Sequence, residues 1–168
     1  MQELEKRMPN SELPPVYLWI VSTDIPADWL PRGKDRERLV IPTSARLFVK
    51  DDCVIIEMIA VDESQRYDQY YEPPSFDDDE PPIITTTIRK ENILRLVIGG
   101  RGAFGHNPTA KIIIRDPLDV VDGLSFTFEA HDPNNPNYLI KLLAKLLREQ
   151  LAVAVEDTRE RDSDEIPF

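Results

Sequence analysis

Seven short apolar runs succeed one another along the first three-quarters of the chain, and one element of a different period follows them. VYLWIVS (residues 16–22) comes first, entered through Pro14 and Pro15, whose fixed φ favours an extended approach. LVIPTSARLFVK and CVIIEMIAV follow, with only Asp51-Asp52 between them. Their β-branched content and the short acidic joint predict a β-hairpin. Pro42 interrupts the first of these runs and marks an edge or a bulge, because proline cannot donate to a ladder. IITTTIRK and ILRLVIGG are separated by Glu91-Asn92, which reads as a tight turn. AKIIIRD and LSFTFEA are joined by the turn-rich DPLDVVDG, and LSFTFEA alternates apolar and polar positions cleanly.

The last element has helical spacing. Asn134-Asn135-Pro136-Asn137 supplies cap chemistry and a proline for the first turn. Leu139, Leu142, Leu143, Leu146, Leu147 and Leu151 then fall on one stripe of an amphipathic helix of about five turns. Lys141, Lys145 and Arg148 lie off that stripe. The expectation is a mainly β, α+β fold of about seven antiparallel strands, forming a bent sheet or small barrel packed by one long C-terminal helix. A doubly wound α/β fold is excluded because no helix interrupts the strands. This order over residues 16–152 resembles pleckstrin-homology-like domains, in which seven strands precede one capping helix. Such a fold hosts many functions.

The segments between these runs divide the chain. Residues 1–15 read as a polar arm, residues 16–155 as a single β-rich domain with an acidic loop at 62–82, and residues 156–168 as an acidic tail. A chain of 168 residues matches one domain, and its 41% hydrophobic content suffices for one core. No apolar run approaches the roughly 18 residues of a membrane span. The polar N-terminus lacks a secretory h-region. The single Cys53 and two histidines offer neither a disulfide nor a Cys/His zinc site. The expectation is a reduced, cytoplasmic protein with no cofactor, no metal and no membrane partner.

Charge changes the picture by its placement. The net charge is −11. Residues 62–80 contribute −7 and residues 156–168 contribute −4, so the remainder of the chain is neutral. Within that neutral body, residues 28–50 carry a net +3 through Arg32, Lys34, Arg36, Arg38, Arg46 and Lys50. Arg46, Phe48 and Lys50 share parity along one strand. Trp29, Tyr67, Tyr70 and Tyr71 lie in adjoining loops. Cations that neutralise phosphates, together with rings that stack bases, make a candidate single-stranded nucleic-acid surface. The plain alternative is a core Trp29 and arginines on an ordinary solvated face.

Other chemistry is sparse. Gly100, Gly102 and Gly105 form a G-x-G-x-x-G pattern after a strand, with Lys111 following, which resembles a protein-kinase glycine-rich loop. No H-R-D or D-F-G pattern accompanies it, and no helix follows as a dinucleotide site requires. The plain alternative is a flexible hairpin loop, on which Arg101 and His106 could touch an anion. His106 and His131 sit in turn-like sequence without a marked nucleophile, and Cys53 reads as a small buried hydrophobe. Asp77, Asp78, Asp79 and Glu80 read as a solvated loop, with a hard-cation site as the sharper alternative. The expectation is a non-enzymatic protein.

The chain ends Asp162-Ser163-Asp164-Glu165-Ile166-Pro167-Phe168. This resembles the acidic tip of bacterial and phage single-stranded DNA-binding proteins, which ends in acids followed by Ile-Pro-Phe. Glu165 departs from that pattern by replacing an aspartate. The Gly/Pro/Gln-rich linker of many of those proteins is absent, and so is their barrel with a helix among the strands. The resemblance implies that Asp162, Asp164, Glu165, Ile166, Pro167 and Phe168 recruit enzymes of DNA replication, recombination or repair. A terminal Phe168 filling an apolar pocket, with its α-carboxylate on an arginine, would carry that contact. The leading expectation is therefore a single-stranded DNA-binding protein with a recruiting tip. The alternatives are a protein-interaction module of pleckstrin-homology-like shape and an acidic DNA-mimic inhibitor. Neither alternative binds DNA.

Overall fold

The computed structural model describes residues 14–26, 29, 42–60, 74–77, 81–99, 108–130 and 136–158. The elements are β1 (Val16–Thr23), β2 (Thr43–Val49), β3 (Cys53–Ile59), β4 (Ile83–Arg89), a single 3-10 turn (Lys90–Asn92), β5 (Ile93–Gly99), β6 (Thr109–Ile114), β7 (Leu124–Glu129), α1 (Pro136–Leu151) and β8 (Val155–Asp157). The mainly β class with one helix is as expected. Among the described residues the strands number eight rather than about seven, and they form one sheet in the order β4-β3-β2-β1-β7-β6-β5-β8. Seven pair antiparallel, while β8 runs parallel to β5.

Alternation sets the inner face. Val16, Leu18 and Ile20 of β1, Leu47 and Val49 of β2, and Ile56 and Met58 of β3 all point inward and are buried. Phe126 and Phe128 of β7 meet them there, their ring centroids 6.3 Å apart. The Asp51-Asp52 hairpin forms as expected, closed by the Lys50 amide donating to the Cys53 carbonyl at 2.9 Å. Pro42 lies immediately before β2 and removes no ladder donor.

The expectation of a tight turn pairing IITTTIRK with ILRLVIGG is corrected. Those strands are β4 and β5, and they lie six places apart in the sheet. At roughly 4.8 Å per strand a flat sheet would separate them by about 29 Å. The four virtual bonds from Arg89 to Ile93 span at most about 15 Å. The sheet must therefore roll to bring its two halves together at the 3-10 turn. Backbone bonds hold that corner: the Lys90 amide donates to the Asp52 carbonyl at 2.9 Å, and the Arg115 amide to the Asn92 carbonyl at 2.8 Å. The ladder stays open between β4 and β8, so the barrel alternative is not a closed one.

Helix α1 packs over β1 and β2. Its buried face consists of Ile140, Leu143, Ala144, Leu147 and Leu151. The expected leucine stripe is thus rotated, since Leu139, Leu142 and Leu146 are only partly buried at its flank. At 16 residues the helix is also slightly shorter than five turns. It ends at Ala152, which adopts φ 56° in the left-handed region. The Val153 amide then donates back to the Leu147 carbonyl at 3.2 Å. This reversal delivers the Ala154 carbonyl to the Leu96 amide at 2.9 Å and starts β8. Glu156 and Asp157, the first acids of the tail, are thereby strand residues.

Candidate nucleic-acid interface on the outer sheet face

The face of β1 and β2 turned away from the core carries Tyr17, Arg46 and Phe48. Register aligns Tyr17 with Arg46, and Arg46 with Glu57 of β3, in one row across three strands. The Arg46 Nε donates to Glu57 Oε1 at 2.6 Å. The guanidinium also lies 4.4 Å from the Phe76 ring centroid and 5.8 Å from that of Phe48. Both distances are within cation–π range. Lys50 Nζ approaches the other side of the cluster, 5.9 Å from the Phe48 centroid.

The segment Pro74 to Asp77 crosses this face. The Ser44 hydroxyl donates to the Pro74 carbonyl. Phe76 then meets Tyr17 edge to face, with centroids 5.8 Å apart and planes at 71°. Tyr17 nevertheless remains 48% exposed. Burial alone would lower the Arg46 pKa, but the hydrogen bond and charge of Glu57, with a further hydrogen bond to Tyr17, outweigh it and hold it above the ordinary arginine value. The cation is permanent, and it is largely engaged by its own neighbours.

Of the residues expected to contact nucleic acid, Arg46 and Lys50 come together here. Trp29 is 43% exposed, not a core residue, and its amide closes a turn onto the Pro26 carbonyl at 2.9 Å. Arg32, Lys34, Arg36, Arg38, Tyr67, Tyr70 and Tyr71 lie outside the described residues. So do Asp162, Asp164, Glu165, Ile166, Pro167 and Phe168 of the tip, the loop with Gly100, Arg101, Gly102, Gly105 and His106, and also His131. Tyr17 and Phe76 were not among the expected site residues. Tyr17 could have been found from its parity, since it alternates with Val16 and Leu18. Phe76 carried no local signal, because only the fold lays the acidic segment on β2.

Cys53 is buried, and burial, followed by the neighbouring Asp52, pushes its thiol pKa up. That environment disfavours the thiolate. Among the described residues no three His, Cys, Asp or Glu side chains are grouped to hold a metal ion. Among them, too, no helix is long and apolar enough to cross a membrane. No family model matches the chain, and no curated protein matches it. What the described residues define is a mainly β domain with a single packing helix among them.

Proposed function

We propose that this protein binds single-stranded DNA on the outer face of β1 and β2, and that its acidic tip recruits proteins of DNA replication, recombination or repair. The observation that carries the reading is the grouping of Tyr17 and Phe48 on one sheet face with Lys50 beside them. Rings left partly exposed on this sheet face, Tyr17 above all, can stack unpaired bases at about 1–3 kcal/mol each. Bases stacked inside a duplex cannot reach them, so the preference is for the single strand. Lys50 supplies a phosphate contact. Arg46 orients Phe48 and Phe76 in this arrangement. The exposed Trp29 ring is a further stacking candidate, and the cations Arg32, Lys34, Arg36 and Arg38 are proposed as phosphate contacts on their sequence alone. The role of the tip rests on its sequence, with Ile166, Pro167 and Phe168 as the docking end.

The test is fluorescence anisotropy of labelled oligo-dT, with a duplex control, over about 50–300 mM salt. Affinity for the single strand should fall steeply with salt. Tyr17→Ala should weaken binding by about 10–100-fold, the equivalent of one lost stack. Removing Phe168 should leave oligo-dT binding intact and abolish partner binding. No binding of oligo-dT at low salt would sink the reading.

A second reading draws on the ion pair of Arg46 with Glu57, which removes one cation from the phosphate surface. It makes the domain a protein-interaction module, or a DNA mimic acting through Asp77, Asp78, Asp79 and Glu80. It predicts no DNA binding. In its mimic form it predicts competition with DNA for a basic enzyme, lost when those four acids are neutralised.

A further inference from the structure

Phe76 stands out within its own segment. Between Glu72 and Glu80 it is the only apolar side chain apart from two prolines. Its immediate neighbours in sequence offer a ring no apolar contact, and it finds one on the outer face of the sheet. There its centroid lies 4.4 Å from the Arg46 guanidinium and 5.8 Å from the Tyr17 centroid, edge to face. The turn that presents the ring is built within residues 74–77. Pro74 fixes its own φ, and the Asp77 amide donates to the Ser75 hydroxyl at 3.0 Å. The hydrogen bond that ties the segment to the sheet runs from the Ser44 hydroxyl to the Pro74 carbonyl. Among the described residues no backbone bond joins residues 74–77 to a strand. The segment is thus ordered in itself and lightly attached, which places it among the first parts of a fold to open.

The space that Phe76 fills adjoins the proposed stacking face. A nucleobase offers a guanidinium and a tyrosine edge the same flat π surface as a phenyl ring. A base and Phe76 cannot share that space. Exposed Asp77 sets a negative charge next to the ring, and Asp78, Asp79 and Glu80 follow in the sequence. A ring followed by an anion is also the chemistry of a nucleotide, base and then phosphate. Tyr17 remains 48% exposed with Phe76 in place, so an incoming base can touch it before the segment moves. Lifting residues 74–77 then breaks side-chain contacts and one hydrogen bond, and leaves the strand pairing intact.

We infer that residues 74–77 form an autoinhibitory strap, in which Phe76 holds the position over Arg46 and against Tyr17 that an unpaired base takes when single-stranded DNA binds. The inference rests on the DNA-binding reading of this face and adds its regulation. Strap and strand exclude one another, so the apparent affinity is the intrinsic affinity multiplied by the fraction of molecules with the strap lifted. An open fraction of about one-tenth to one-third makes the strap worth about threefold to tenfold in affinity.

The experiment compares oligo-dT binding by the full chain and by Phe76→Ala, using anisotropy at about 50 mM salt. Phe76→Ala should bind about threefold to tenfold more tightly. Circular dichroism melting verifies that the variant folds. A second arm observes the strap in the unaltered sequence, by fluorine NMR of the full chain labelled with fluorophenylalanine. The Phe76 signal is the one missing from the Phe76→Ala spectrum. Saturating oligo-dT should move that signal toward its position in the urea-unfolded chain. If the full chain binds oligo-dT and Phe76→Ala binds equally or less well, the strap is overturned and the DNA-binding reading stands. A Phe76 signal unmoved by saturating oligo-dT has the same meaning. If neither protein binds oligo-dT, the reading and the strap fall together.

Discussion

Arg46 and Glu57 sit opposite one another on β2 and β3, Nε to Oε1 at 2.6 Å, with each side chain about three-quarters shielded from water. The pair spends the charge that sequence parity had assigned to phosphate, and it fixes the guanidinium beneath Phe76. A residue that looked like a phosphate contact is in this fold engaged by Glu57 and by the rings of Phe48 and Phe76.

Glu57→Gln should therefore release a cation to the surface. On the single-stranded DNA reading, oligo-dT affinity should rise about threefold to tenfold. The slope of log K against log salt should steepen by about 0.7, the value for one added phosphate contact to a single strand. Salt-dependent anisotropy measures both. An unchanged slope would show that Arg46 cannot reach a phosphate.

Adjacent leucines on α1 should differ sharply. Leu143 is fully buried, whereas Leu142 is only partly covered. Leu143→Ala should cost about 2–5 kcal/mol and Leu142→Ala about 1 kcal/mol. Urea titration of both variants measures the difference. Equal costs would contradict the observed rotation of the helix.

The Asp116 cradle predicts a pH-dependent term. Hydrogen bonds from Val121 and Leu118, with a further one from Val120, hold its carboxyl below the ordinary aspartate value of 3.8. A group whose folded pKa is depressed stabilises the fold at pH above its unfolded value, and that contribution is lost as pH falls through the folded pKa. Asp116→Ala should lower the melting temperature at pH 7 by roughly 2–4 °C. The gap from wild type should narrow only in acid below the ordinary aspartate value. Calorimetric scans at several pH values test it, and a gap that persists at the lowest pH would refute the carboxylate's role.

Ala152 ends α1 in a conformation that glycine adopts without steric cost. Ala152→Gly should stabilise the protein by up to about 1 kcal/mol, since the left-handed penalty exceeds the entropy lost to glycine in the unfolded chain. A higher urea midpoint at unchanged m-value is the expected readout. A lower midpoint would mean that the alanine methyl contributes packing that outweighs the backbone strain.

What the sequence by itself determined was local. β-branched runs predicted the strands β1 to β7, the two-residue acidic joint predicted the β2–β3 hairpin, and leucine spacing predicted α1. These follow from backbone sterics and from periodicities of two and 3.6 residues, which act within a few positions. Tertiary structure decided the rest. β4 and β5 look like hairpin partners across three residues, yet each has a better partner elsewhere, β3 and β6, and the rolled sheet absorbs the short link between them. β8 has no period of its own and forms only because the free edge of β5 offers Leu96 to the chain leaving α1. The helix buries Ile140 and Ala144 in preference to Leu142 and Leu146 because the sheet sets the angle from which it is covered. Arg46 faces Glu57 through the register that the two-residue hairpin joint sets, whereas Phe76 meets Tyr17 across a separation that no pattern in the chain encodes. Hydrophobic spacing specifies which side of an element is buried, but the partner each outward side chain finds depends on which strands lie next to each other.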